Sequence, residues 1–380
     1  MSDKLSRLLT TALALSEQFQ AALISAAPAQ ADDSANQPQP LKLLSDSSKT
    51  LKAQVTKLSL LAISTPFTHS ALSTVLTAVN DSVMPALVTA ALLVTPVACT
   101  KTFADETKLL ARTALKELSF LLKEVEKIAK NKNSANEARR NEEISKAEKD
   151  AVTSQTGRVW DACDSVLDLA TKGVVGHVVR RVEEWRDLVK DAISELEEWD
   201  PEDDDDDLDD ALFGHDDNGE EEEEEEEEEK AGEGDTKQRD EETMVALRRQ
   251  KKETLRLFKP IAQIYPAIIS NRLRKGGLTV SIGIRTHVPK LESLISDLQT
   301  IPSHVDEAAG SLYEENVVNS ILHLKKAKTS AERAMKLVAL PWEVTTNAPG
   351  QQAQAQEDKF TTWSRTWLKV MDSMMSNNDS

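Results

Sequence analysis

Six histidines and two cysteines are the side chains best suited to acid–base, nucleophilic or metal chemistry in this 380-residue chain: His69, His177, His215, His287, His304 and His323, with Cys99 and Cys163. None falls into a His-Glu-x-x-His pair or a Cys/His cluster, the spacings that bring ligands to one ion. His304 with Asp306 and Glu307 imitates a fragment of a site, but the three are expected at a helix start, where acidic side chains favour the dipole. Gly173-x-x-Gly176 and Gly276-Gly277 lack the flanking strand and the lysine of a phosphate loop, and read as helix caps. Both cysteines sit in apolar helical patterns. They read as small buried residues in a reducing compartment, with too few partners for a zinc site. No catalytic, cofactor-binding or metal residue is assigned, and an enzyme is not expected.

Short binding signals are more numerous. Arg248-Arg249-Gln250-Lys251-Lys252 could be an import sequence, a phosphate-binding patch, or the exposed side of a helix. Trp363 and Trp367, four residues apart, suit either partner anchors or the core of a terminal helix. Arg186-Asp187-Leu188-Val189 fits a loose cyclin-docking pattern, although Val189 falls on an expected buried face. Ser194-Glu195-Leu196-Glu197 resembles an acidic-directed phosphorylation site.

The elements that must carry these residues are set by charge and periodicity. Residues 200–229 hold 21 Asp and Glu with no Lys or Arg, so this stretch supplies −21 of a net −19 and leaves the other 350 residues at about +2. Such a block repels itself and has little to bury, so residues 200–237 are expected to be a disordered acidic linker. It separates a first domain, 1–199, from a second, 238–380. The charge disfavours direct nucleic-acid binding, because it would repel phosphate, while it could steer basic partners. The longest apolar run, Met84 to Cys99, is interrupted by Pro85, Thr89, Thr95 and Pro96 and is too short to span a bilayer.

Gly and Pro are scarce, at 12 and 13, and aromatics are 4%. Apolar residues recur at helical spacing nearly throughout. Leu51, Val55, Leu58 and Ala62 form one stripe, in a helix expected to start near Asp46 or Ser47. Leu72, Leu76, Val79, Val83 and Leu87 form another, kinked at Pro85. Val159, Cys163, Val166 and Ala170 form a third, starting near Ala151 and stopped by Gly173. Val178, Val182, Trp185, Val189, Ile193 and Leu196 follow. After the acidic block, order is expected from near Gln238. Met244, Leu247, Leu255 and Phe258 are followed by Ile261, Ile264, Ile268 and Leu273, with kinks at Pro260 and Pro266. A helix through Val288, Leu291 and Leu298 should stop before Pro302, and another should run from His304 to Leu340. Phe360, Trp363, Trp367, Val370 and Met374 share the last face. Leu278–Ile282 is the single β-like stretch. About ten helices and no convincing strand make the chain all-α, arranged as two antiparallel bundles.

Five segments carry a family resemblance. They are Leu51-Lys52-Ala53-Gln54-Val55-Thr56-Lys57-Leu58-Ser59-Leu60-Leu61 with Pro66-Phe67-Thr68; Val83-Met84-Pro85-Ala86-Leu87-Val88; Gly157-Arg158-Val159-Trp160-Asp161-Ala162-Cys163-Asp164; Asp191–Trp199; and Leu257-Phe258-Lys259-Pro260-Ile261 with Tyr265-Pro266. In these residues, and in the order helical region, acidic interruption, helical region, the chain resembles the GCIP family of cyclin-D-binding proteins. The resemblance implies talin-like helical bundles. It also implies a non-enzymatic regulator of the cell cycle that binds D-type cyclins or helix-loop-helix factors and occurs in nucleus and cytoplasm. It carries over no site residues, so the binding residues are unknown at this point. Two alternatives stay open: a talin-like cytoskeletal or adhesion module, by fold analogy, and an acidic chaperone of basic nuclear proteins.

Overall fold

The computed structural model describes residues 2–25, 39–134, 143–200, 233–275, 283–342 and 357–376. Every element among them is helical: α1 (Ser2–Ser25), α2 (Pro40–Ile63), α3 (His69–Ala78), α4 (Met84–Leu93), α5 (Lys101–Ser134), α6 (Lys146–Glu198), α7 (Glu233–Ile268), α8 (Gly283–Tyr313), α9 (Val317–Val338) and α10 (Lys359–Ser376). The all-α expectation holds among the described residues. The acidic stretch 201–232 and the β-like Leu278–Ile282 lie outside them. Two compact units form. One comprises Met1–Val178 with Thr279–Pro289, the other Val179–Leu278 with Lys290–Ser380. They divide inside α6 at Val178, whereas charge alone puts the break at Asp200. The reason lies in contacts that hold the end of α6 within the second unit. Glu183 pairs with Arg274 at 2.8 Å, Glu197 with Lys259 at 2.6 Å, and the Trp199 ring meets Tyr313 edge-on at 5.0 Å.

In the first unit the stripes converge on one core. Leu51, Val55, Leu58 and Ala62 of α2, Leu72, Leu76, Val83 and Leu87 of α3–α4, and Leu118, Leu121, Val125 and Ile128 of α5 are all buried in it. At roughly 1.5–3 kcal/mol for each fully buried large side chain, this burial dominates the stability of the unit. α1 lies along α5, with the Ser16 hydroxyl donating to the Leu115 carbonyl at 2.9 Å. The Pro85 kink takes the form of a π turn, Val79–Val83, joining α3 to α4. The resulting His69–Leu93 segment is long and apolar enough to cross a membrane by composition, but Leu72, Leu76, Val79 and Leu87 are fully buried in the unit, as a core helix requires. Two helices begin earlier than their apolar periods suggest. α2 starts at Pro40, whose missing N–H costs nothing in the first turn. α6 starts at Lys146 through a capping box: Ser145 Oγ accepts from the Glu148 amide at 3.2 Å, and the Glu148 carboxylate accepts from the Ser145 amide at 3.1 Å. At Gly173 the helix breaks, with φ 63° and ψ −169°, a conformation essentially restricted to glycine. Gly176 is no cap. A Cβ there would lie 2.6 Å from the Lys172 Cβ, so its role is clearance.

In the second unit α9 packs against α7 and α10. α8 does not stop before Pro302 but runs on to Tyr313, through Gly310. Pro302 removes the N–H that would reach the Leu298 carbonyl, and the buried Tyr265 hydroxyl donates to that carbonyl instead, at 3.2 Å. The chain turns at Glu315 with φ 57°. Asn316 N–H bonds to Ser311 O at 2.7 Å and Glu315 N–H to Leu312 O at 3.1 Å, a Schellman stop made without glycine. Asn316 then caps α9, its side chain accepting from the Asn319 amide at 3.0 Å. His304 therefore lies inside α8 and not at a helix start.

Candidate functional site

Most residues nominated from the sequence have structural partners. His304 meets His323 of α9 edge-on at 5.5 Å, and burial together with the charge of His323 and Lys326 holds its pKa below the ordinary histidine value. His177 packs edge-on against Phe103 at 5.6 Å. Among the described residues no group of three or more His, Cys, Asp or Glu could hold a metal ion. Both cysteines are free thiols, and burial pushes Cys163 up to about 11, which keeps it protonated and unreactive. Gly276-Gly277 lies outside the described residues.

The basic cluster divides by function. Lys251 donates to the carbonyls of Glu197, at 3.2 Å, and Trp199, capping the end of α6, where a cation suits the dipole. Gln250 is buried and donates to Thr254 Oγ1 at 3.2 Å. Arg248, Arg249 and Lys252 are exposed. Trp367 is buried, and its indole N–H donates to the Pro260 carbonyl at 3.0 Å. Trp363 is half-buried against Phe360. Val189 is fully buried while Leu188 faces solvent, so Arg186–Val189 does not present its two apolar residues together. Leu196, in the Ser194–Glu197 pattern, is buried as well. An open cleft of about 890 Å³ between α8 and α9 is lined by Glu292, Asp297, Arg333 and Lys336. Arg333 and Asp297 already pair at 2.9 Å, and Leu337 is the one apolar side chain in a lining that is otherwise charged or hydroxylated.

Sequence reasoning passed over Arg272. Its side chain is 1% exposed. Nε donates to Val338 O at 2.7 Å and Nη2 to Ala339 O at 2.9 Å, while the guanidinium grips Asp358 through both oxygens at 2.7 and 3.0 Å. The Phe360 ring lies 4.3 Å away. Asp358 also caps α10, accepting from the Thr361 amide at 2.8 Å. Arg272 and these hydrogen bonds hold Asp358 far below the usual carboxylate range. With the guanidinium buried and only Asp358 reaching water, this node locks the π turn Ile269–Leu273 that continues α7 to α9 and α10.

An exposed indole marks a surface on α2 and the first arm of α6. The two helices run antiparallel: Ser48 Oγ donates to Cys163 O at 2.8 Å, Lys52 Nζ reaches both Asp164 oxygens at 2.6 Å, and Ser59 meets Thr156 at 2.5 Å. Because the Thr156 hydroxyl donates to Val152 O at 2.7 Å, Ser59 is the donor in that last pair. The core stripe Val159, Cys163 and Val166 faces inward. Trp160 is out of phase with it and stays 37% exposed, with Lys52 Nζ 5.7 Å from its ring. Leu60 is 57% exposed on the same side of α2 as Lys52 and Thr56, which stand two and one helical turns before it. Gly157 sits one turn before Trp160, and a Cβ built there meets no heavy atom within 4 Å. The seam thus offers an exposed indole with open space at Gly157 one turn before it, and α2 exposes Leu60. It has the makings of a protein-binding surface, since an exposed Trp is the commonest kind of interface anchor. Its signal in the sequence was an indole outside the apolar period.

Residues 43–202 match the family model described as Grap2 and cyclin-D-interacting, N-terminal. The match spans α2 and α6, and so contains the whole seam. No curated protein matches the chain. The two segments that form the seam, Leu51–Leu61 and Gly157–Asp164, lie within the matched residues and are among those that carried the resemblance, so residues 43–202 are similar to the N-terminal region of the GCIP family of cyclin-D-interacting proteins.

Proposed function

We propose that this chain is a non-enzymatic regulatory binding protein of the cell cycle, with cyclin-like or helix-loop-helix proteins as partners, acting in nucleus and cytoplasm. The observation that carries the reading is the match of residues 43–202 to a family named for interaction with cyclin D. The exposed Trp160 seam within those residues supplies a surface for it. Capture of a purified D-type cyclin, and separately of a helix-loop-helix domain, by the immobilised full-length chain tests it. Binding of either is expected to survive deletion of residues 200–235 and to weaken about tenfold or more in Trp160→Ala. Failure to bind both sinks the reading. Binding of histones in their place, lost on the deletion, would favour the chaperone reading.

A further inference from the structure

We propose that the solvent side of α5, with the end of α1, is a second protein-binding surface that receives an acidic amphipathic helix. Two apolar side chains of that helix, three turns apart, seat at Leu109 and Phe120. The carboxylates between them meet Arg112, Lys116 and Lys123. This surface shares no residue with the α2–α6 seam and takes a partner of its own chemistry, so it goes beyond the cyclin reading.

α5 buries one side in the core through Ala111, Ala114, Leu118, Leu121 and Val125. The opposite side of such a helix is ordinarily polar throughout, and here it is not. Leu109, Arg112, Lys116, Phe120 and Lys123 recur at steps of three and four residues, so they share one outer line. Leu109 is 45% exposed, and Ile24 at the end of α1 is 68% exposed. Both line a shallow cleft of about 200 Å³, together with Leu23, Asp105, Lys108 and Arg112. Phe120 is half-buried and stands three turns beyond Leu109, about 16 Å along the helix. Lys116 Nζ and Lys123 Nζ lie 6.0 and 5.5 Å from its ring. Arg112, Lys116 and Lys123 form no ion pair among the described residues, whereas Lys127 and Lys130 are taken by Glu124 and Glu126 at 2.7 and 3.0 Å. Asp105 is the one acidic side chain in the cleft lining, and Glu117 lies off the line with a carboxylate oxygen enclosed by protein. A basic line alone suits any anion. Two apolar positions at a fixed separation favour a helix, because a helix laid along α5 has the same rise per residue and returns the same face after eleven residues. A phosphate backbone has nothing to seat at either position. A basic helix would set like charges against three cations, while an acidic one pairs them.

The test uses the full-length protein and three labelled helical peptides of about 18 residues, followed by fluorescence anisotropy. The first carries two leucines eleven residues apart, with glutamates on the same face between them. In the second the leucines stand nine residues apart, which puts them on opposite faces. In the third the glutamates are replaced by lysines. The first is expected to bind about tenfold tighter than either of the others. Lys116→Glu with Lys123→Glu should weaken it about tenfold, and so should Leu109→Ser, with helicity unchanged by circular dichroism. Arg249→Glu with Lys252→Glu, the same change of charge in the other unit, should leave it as it was, and so should Trp160→Ala. Equal binding of the first two peptides overturns the proposal, as does binding that ignores Lys116→Glu with Lys123→Glu or that is lost in Trp160→Ala. A DNA duplex that binds more tightly than the first peptide would make this a phosphate surface instead. Peptide binding seen only after residues 26–38, which follow α1 beside Ile24 and include Asp32 and Asp33, are exchanged for a Gly-Ser linker would make the chain itself the occupant. Failure to capture cyclin bears on the earlier reading alone.

Discussion

Two clusters in this chain are built from the same three kinds of group. Lys52, Asp164 and Trp160 join α2 to α6, and Arg272, Asp358 and Phe360 join α7 to α10; each sets a cation between a carboxylate and an aromatic ring. They differ in water. In the first, the side chains of Lys52 and Asp164 are 37% and 53% exposed; in the second, Asp358 is 42% exposed but Arg272 only 1%. Exposure screens the first pair and leaves its ring available, so it contributes little to stability and can be spent on recognition. Burial of the guanidinium strengthens the second, sets it beside carbonyl acceptors from Val338 and Ala339, and leaves the cation no open face.

The sharpest way to break this contrast is Arg272→Met. It strands the Val338 carbonyl and removes the buried cation from Asp358, and should destabilise the second unit by about 3 kcal/mol. Hydrogen exchange in α9 and α10 should then quicken about a hundredfold, while α2 keeps its protection; unchanged exchange would make the node ornamental. Acid should act through the same pair. The folded pKa of Asp358 is depressed, so its contribution is complete above the unfolded carboxylate value of about 4 and is lost as pH falls below it. The stability gap between wild type and Asp358→Asn should close between about pH 5 and pH 2, and a gap that stays constant would refute the linkage. Tyr265→Phe removes the donor to Leu298 O and should cost about 1 kcal/mol in urea unfolding. Lys52→Ala should be the mildest, within about 0.5 kcal/mol. A cost above about 2 kcal/mol there would mean that the exposed cluster is structural after all.

Much of the fold was legible in the sequence. The α2 stripe, the stripe from Val159 to Ala170, the Pro85 kink and the Gly173 break all follow from local periodicity and backbone restriction, which act within a few residues. The stripe in α7 was misread around Leu255, which is half-buried. Gln250 and Thr254 occupy the buried line in front of Leu257 and satisfy each other, and two polar residues hid the period. In α10, Thr361 and Ser364 lie in the core while Val370 faces water, because Thr361 is bonded to Ala339 O, Asp358 and Arg272. The capping box at Ser145 and Glu148 is legible as a Ser-x-x-Glu motif, but it lies ahead of the apolar period from which the start near Ala151 is read. Of the candidate site, the segments carrying the family likeness were legible. Their adjacency, and the open space at Gly157, were not.

By itself the sequence determined helicity, the segments that bury, and the likeness of residues 43–202 to cyclin-D-interacting proteins, since propensity, apolar period and motif are properties of neighbouring residues. Tertiary structure alone decided that a proline could stay inside α8, because the compensating hydroxyl comes from Tyr265, 33 residues earlier. It alone sorted two similar clusters into lock and surface. Burial is set by what packs over a side chain, and for Arg272 and Lys52 those neighbours come from distant parts of the chain.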